Sequence, residues 1–278
     1  MSPHTRDSLS THLLDEILAG RIASGTKLPP ERELARRFGL SRPIVREVLR
    51  GLAERGFVEI LPSRGTYVRE AQASDGARSL DTSYRRRNTT VRELTEARSM
   101  LETQAAALAA TNATEVEVEA MRRCLDDLKI TTYVLEQARL DLAFHALVMH
   151  AGHNTVLESM YASITTLTFE LMLRSLSDRQ VRQAGTPRHD PIWEAIRDHD
   201  AAAAAEAMRV HLEAAEELYG TDLDRGVDQV AQRELQRMLG PAASLEGLLE
   251  EVARRQAAFI RAPSTSSPLS TPSAPLTT

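Results

Sequence analysis

Apolar residues recur at helical spacing through most of the chain and at strand spacing only once. Leu9, Leu13, Leu14, Ile17 and Leu18 share one face of a first helix that stops at Gly20. Beyond Leu28-Pro29-Pro30, the positions of Leu34, Ala35 and Phe38 predict a short second helix. Glu31 and Glu33 occupy its first turn, where negative charge is favoured, and Gly39 is its left-handed stop. Ser41 is placed to cap a third helix whose inward face is Val45, Val48, Leu49 and Leu52, with Gly56 ending it. Two β-prone runs, 57–61 and 66–68, flank Pro62-Ser63-Arg64-Gly65 and predict a hairpin. From Val91 to about Tyr219 the period is helical throughout. The pattern predicts a mostly α protein with two parts. An N-terminal winged helix-turn-helix, with the β-hairpin as its wing, spans 1–70, and an all-α antiparallel helix bundle spans 91–220.

Between these parts, 71–90 is rich in Ser, Asp, Gly and Arg and has no apolar period, so a flexible linker is expected. Beyond residue 220, Val227, Val230, Ala231, Leu235, Met238 and Leu239 predict a helix stopped by Gly240-Pro241. Leu245, Leu248, Leu249, Val252, Phe259 and Ile260 predict another, so 221–261 reads as additional helices without an evident role. Residues 262–278 are almost entirely Ser, Thr, Pro, Ala and Leu; a disordered tail is expected.

An apolar fraction of 42% and a charged fraction of 26% belong to a soluble globular chain. The net charge of −5 argues against a nucleic-acid partner until it is divided. Residues 1–70 carry 12 basic and 9 acidic side chains (+3), and the remainder carries 22 and 30 (−8). The single cysteine, Cys124, excludes an internal disulfide and favours a reducing compartment. With neither an apolar leader in the first twenty residues nor a membrane span, the expected location is the cytoplasm, with no membrane partner.

The positive head places its charge on the third helix. Arg42, Arg46 and Arg50 recur every four residues along one flank of the apolar face. A helix fits the major groove, and an arginine fork can bond N7 and O6 of guanine. Ser41 and the first-turn amides face phosphates, Arg32 on the second helix can hold the backbone, and Arg64 with Gly65 at the hairpin tip can reach further along the duplex. A solvated charged face is the plain reading of one such stripe; a capped turn before it and a basic wing after it favour DNA.

The run Lys27–Val68 resembles the DNA-binding domain of GntR-family bacterial transcription regulators. Leu28-Pro29-Pro30-Glu31-Arg32-Glu33-Leu34-Ala35, Ser41-Arg42, Val45-Arg46-Glu47 and Arg64-Gly65-Thr66-Tyr67-Val68 carry the likeness. It implies DNA contacts from Arg32, Arg42, Arg46 and the Gly65 wing tip. Pro43 takes a DNA-facing position at the tip of the recognition helix. With Ile44, it departs from the threonine-containing pattern usual there, which leaves the operator sequence open.

In the bundle, Asp141 and His145 are four apart and emerge on one helix face. His189 opens a later helix with Ile192, Trp193 and Ile196 facing inward, and His211 lies on the last long one. A carboxylate and three imidazoles suit borderline cations, although periodicity alone does not bring the four together. Residues 91–219 resemble the FCD effector domain of the FadR subfamily, through "EARSMLETQAAALAA", "DLAFHALVMHAGHN" and the pattern around His189, Asp200 and His211. The likeness implies that Asp141, His145, His189 and His211 ligate a divalent metal, zinc before nickel, iron or manganese. It also places Arg98 beside an effector pocket, with Asn154 lining the same cavity. By periodicity, Arg98 interrupts an apolar stripe at 91, 94, 98, 101, 105 and 108, with Glu102 one turn on. Pairing with Glu102 and clamping a ligand carboxylate both stay open for it. The resemblance thus implies a homodimeric regulator, in most relatives a repressor, on near-palindromic double-stranded DNA, released by a small carboxylate such as a hydroxy acid, sugar acid or dicarboxylate. Two alternatives use the same residues: a metal-dependent hydrolase or lyase fused to a helix-turn-helix, with Glu102 as its base, and a sensor for the metal itself.

Overall fold

The structure is a computed structural model and describes residues 6–75, 77–177 and 189–231. Its chain divides into two units, Met1–Arg87 with Ala162–Ile164, and Asn88–Tyr161 with Thr165–Thr278.

In the first unit, α1 (Arg6–Leu18), α2 (Glu31–Phe38) and α3 (Arg42–Glu54) precede an antiparallel hairpin of β1 (Val58–Leu61) and β2 (Gly65–Val68). Val58 pairs with Val68 and Leu61 with Gly65. Leu9, Leu34, Val45 and Leu52 are fully buried beneath the three helices, and each contributes about 1.5–3 kcal/mol of burial. The turn between α2 and α3 is tight because Gly39 takes φ 63°, ψ 29° and donates its N–H to Ala35 O. Ser41 stands at the N-cap of α3 in extended geometry, but its side chain makes no capping bond. Pro43, in the first turn, has no N–H and so removes one of the donors such a cap would use.

The expected linker is not wholly irregular. Ala77–Arg86 forms a helix, α4, across which Arg85 Nε donates to Asp81 Oδ2 at 2.9 Å. An i, i+4 ion pair and arginines in the last turn, where the dipole favours them, substitute for a missing apolar period.

The second unit is helical: α5 (Val91–Asn112), α6 (Glu115–Ile130), α7 (Val134–Ala151), α8 (Thr155–Ser177), α9 (Asp190–Arg197) and α10 (Ala201–Glu217). Reciprocal capping boxes start α5 (Thr90 with Glu93) and α6 (Thr114 with Glu117), and Asp200 caps α10. Helix α5 packs along α10 and against α7 and α9, while α6 covers α7. Twelve of the 18 residues of α7 are buried, including Asp141 and His145. A helix apolar on nearly every side belongs at the centre of a bundle, so any polar group it carries is forced inside.

After a 3₁₀ turn at Gly220–Asp222, the chain crosses the start of α5. Arg92 N donates to Leu223 O (2.8 Å), Val91 N to Arg225 O (3.0 Å) and Val227 N to Thr89 O (2.9 Å), so α5's unsatisfied first-turn amides find partners there. Residues 227–231 turn helical, with Val227, Val230 and Ala231 buried. The rest of the expected additional helices and the tail, 232–278, lie outside the described residues. Among the described residues, no helix is long and apolar enough to cross a membrane.

Candidate DNA-binding face and metal centre

Because α3 turns Val45, Val48, Leu49 and Leu52 inward, its other side presents Ser41, Arg42, Pro43, Arg46 and Arg50, all exposed. Arg46 is nonetheless tethered. Its Nε and Nη2 donate to Glu31 Oε1 and Oε2 at 2.9 and 2.7 Å, a bidentate fork joining α2 to α3. That bond holds the Glu31 carboxyl below the usual range against the opposing effect of burial, with Arg42 and Arg50 adding attraction. Arg32, Arg36 and Arg37 are exposed on α2. The wing turns through Ser63 at φ 61° and Gly65 at φ 115°, with Arg64 exposed between them. Cations from α2, α3 and the hairpin thus surround a helix of the width a major groove admits.

In the bundle, three helices bring four side chains to one buried polar cluster. Asp141 and His145 lie a turn apart on α7, His189 precedes the first turn of α9, and His211 sits on α10. One ring nitrogen from each of the three histidines falls within a 4.8 Å cluster. His189 Nε2 is 3.3 Å from His145 Nε2 and 3.1 Å from Asp141 Oδ1, and His145 Nε2 is 3.4 Å from that same oxygen. Two ligands about 2.1 Å from a tetrahedral ion stand about 3.4 Å apart, so these spacings suit a shared cation. All four side chains are buried. Burial alone would raise the Asp141 carboxyl, but His189 and His145 hold it well below its ordinary value. Burial and the neighbouring imidazoles drive His211 well below the histidine range. It is therefore neutral, the form that ligates, and its buried Nδ1 has no hydrogen-bond partner among the described residues.

Glu102 connects this cluster to Arg98. Arg98 Nε donates to Glu102 Oε1 at 2.7 Å, and Glu102 Oε2 lies against His145 Nδ1, on the side of the ring turned away from Asp141 and His189. A carboxylate behind a ligating histidine fixes its ring and tautomer. Despite burial, Arg98 and His145 hold Glu102 ionised, with its carboxyl pulled down to about 2. The Nη groups of Arg98 make no hydrogen bond among the described residues. Tyr161 and Tyr219 lie close enough to act electrostatically on Arg98, and the buried Tyr161 hydroxyl has no hydrogen-bond partner among the described residues.

Sequence reasoning missed the Glu102–His145 contact and Tyr161. The only signal for the latter was a tyrosine in register with Ile164, Leu167 and Leu171 on the buried side of α8. Asn154 is a correction: it is exposed, and its Oδ1 accepts from Leu157 N at 3.1 Å, so it caps α8 instead of lining a cavity.

Residues 5–68 match the family described as bacterial regulatory proteins, gntR family, and residues 93–214 match the FCD domain. The Uxu operon transcriptional regulator of Escherichia coli (strain K12) is 30% identical over 207 residues, covering 72% of this chain and 80% of that protein. The chain belongs to the GntR family. The HTH-type transcriptional regulator LutR of Bacillus subtilis (strain 168) is 29% identical over 199 residues, 69% of this GntR chain and 91% of LutR. The solved structure of Streptococcus agalactiae GntR, 26% identical, covers 77% of this chain and all of its own length with a TM-score of 0.57. This membership makes the chain a transcription regulator with a DNA-binding head, and the hydrolase alternative falls. The FCD match ends at residue 214, so the crossing segment after Gly220 lies beyond it.

Proposed function

We propose that this GntR-family regulator acts as a homodimer on a near-palindromic operator, and that a small carboxylate bound at a metal centre in its bundle controls its hold on DNA. In the head, Arg42 and Arg46 would read bases from the major groove; Arg32, Ser41 and Pro43 would face the backbone, and Arg64 with Gly65 would extend the contact through the wing.

The observation that carries the effector reading is a chain of buried groups, Arg98–Glu102–His145, that ends at a cluster with an orphaned imidazole nitrogen. Asp141, His145, His189 and His211 would hold the ion, zinc before nickel, iron or manganese for so imidazole-rich a set. A bound divalent ion would supply a Lewis-acid position for a carboxylate oxygen. Arg98 would direct its free Nη groups to the ligand's negative charge, Glu102 would keep both Arg98 and His145 in place, and the Tyr161 hydroxyl would bond a further oxygen.

Helix α5 carries Arg98 and Glu102, and its first turn is bonded to the crossing segment 223–227. Immediately before it, Asn88 takes φ 55°, and a side chain at Gly226 would collide with Asn88 Oδ1. A ligand that draws on Arg98 would strain α5 against this latch at the point where the chain leads back to the head. Such coupling requires the ligand to bind one arrangement better than the other.

The test begins with metal content. Purified protein should carry stoichiometric metal that His145→Ala with His211→Ala abolishes; retained metal would overturn the four-ligand assignment. A thermal-shift screen of small carboxylates on metal-loaded protein should then find an acid that stabilises the wild type but not Arg98→Ala, and that same acid should release DNA. DNA affinity that follows metal and ignores every acid would make the metal the signal.

A further inference from the structure

The segment before α2 adds an edge to the wing. Gly25 N donates to Val68 O (2.9 Å), Val68 N to Thr26 O (2.9 Å) and Leu28 N to Thr66 O (2.8 Å), so 26–28 runs antiparallel along β2 with Lys27 opposite Tyr67. Side chains alternate along such a segment: Leu28 is buried and Lys27 is exposed. Directly opposed residues share a face, and Lys27 Nζ lies 5.7 Å from the centre of the Tyr67 ring.

From there the lysine stem crosses the wing at Gly65. A Cβ at Gly65 would stand 2.8 Å from Lys27 Cε, so the flexible end of the lysine lies directly over the glycine. Gly65 itself takes a φ of 115°, the backbone conformation that favours glycine, and the lysine end passes beside it at the tip.

The charge so placed is unspent. Among the described residues, no acid pairs with Lys27, and Glu59, in the same cross-strand row, is on the far side of Tyr67. Arg69, at the base of the hairpin, is differently occupied: Nε donates to Gly56 O at 2.9 Å, and the other nitrogens bond Gln72 and Asp75. That leaves Arg64 at the tip and Lys27 behind it as the wing's available cations. A fork suits a base edge, whereas a compact ammonium on a flexible stem suits a phosphate as a point charge.

We infer that Lys27 is a DNA phosphate contact of the wing, held beside Gly65 by Tyr67. The competing role is purely structural, the stem serving as packing for Tyr67. Lys27→Met keeps that stem and removes the charge; Lys27→Arg keeps a cation.

The full chain and both variants are titrated, over a salt series, with two probes: a duplex that the wild type selects from a random pool, and a mixed-sequence duplex. Lys27→Met is expected to weaken both by the same factor and to lower the slope of log affinity against log salt by about one, with Lys27→Arg close to the wild type. An unchanged slope overturns the inference, whether or not the melting temperature falls. Weakening confined to the selected duplex also overturns it, because the contact would then be to a base.

Discussion

Arg46 and Arg98 each donate from Nε to a glutamate, at 2.9 and 2.7 Å, in very different surroundings. The Arg46 and Glu31 side chains are 51% and 27% exposed and join two helices of the head; those of Arg98 and Glu102 are 3% and 1% exposed and lie one turn apart on α5. Water screens the first pair, so its partners separate at little cost. Inside the bundle, a charge that loses its partner stays desolvated. Arg98 can therefore be redirected only by something that brings its own negative charge. The same two residue types form an exchangeable tether between two helices of the head and a charge trap inside the bundle.

Removing the buried acid is the strongest way to break this contrast. Glu102→Ala should cost about 3–5 kcal/mol in urea unfolding, because it leaves Arg98 buried without its carboxylate and releases the His145 ring. Glu31→Ala should leave the unfolding midpoint nearly unchanged. If the two substitutions cost the same, burial is not what separates the pairs.

Next in size is Arg46→Ala. Operator affinity should fall about tenfold to a hundredfold while the fold stays intact, as expected for an arginine that reads a base. Glu31→Gln removes the internal competitor and should move affinity the other way by a smaller factor, most visibly at low salt. A loss of affinity with Glu31→Gln would mean that the tether orients Arg46 for DNA instead of competing for it.

The head was more legible in sequence than the bundle because its devices are local. Gly39 and Gly56 end helices by their own backbone preference, and Pro62-Ser63-Arg64-Gly65 turns a hairpin whatever packs beneath it. In α5 the expected inward stripe repeats every 3.5 residues and reaches 101, 105 and 108. The helix instead buries 102, 105, 106 and 109. A straight helix advances about 3.6 residues per turn, so a stripe written at a 3.5 spacing falls behind by about 20° each repeat, and the positions nearest the true face become 102 and 109 instead of 101 and 108. That drift carries Glu102 inward, and its contact with His145 depends on how α5 packs against α7, which no single-helix pattern encodes. Asn154 was misplaced for the opposite reason: its role is local, a cap, and a resemblance suggested something more distant.

Asn154→Ala measures that local role. Losing the side-chain acceptor for Leu157 N should cost about 1 kcal/mol of stability and leave metal content and ligand response untouched. An altered response with unchanged stability would return Asn154 to the cavity.

The smallest effect comes from a pair between the two extremes. His150, at the end of α7, faces Glu158 on α8 (Nδ1 to Oε1, 3.1 Å) and Glu117 on α6 (3.7 Å), and His153, itself bonded to Glu117, lies 6.4 Å away between ring centres. Glu158 raises the His150 value above that of a free histidine, burial opposes it, and Glu117 adds to the rise. With the folded value above the unfolded one, the pair stabilises fully below about pH 6.5 and loses its contribution as pH rises through the folded value. Unfolding free energies of wild type and Glu158→Gln should therefore differ most near pH 6, by less than about 1 kcal/mol because the imidazole is partly solvated, and the gap should narrow above pH 8. Glu158 also places a negative charge in the first turn of α8, whose helix-dipole contribution the substitution removes as well. A gap of constant size across the range would show that half-burial leaves this pair as weak as an exposed one, moving the boundary between tether and trap further into the protein.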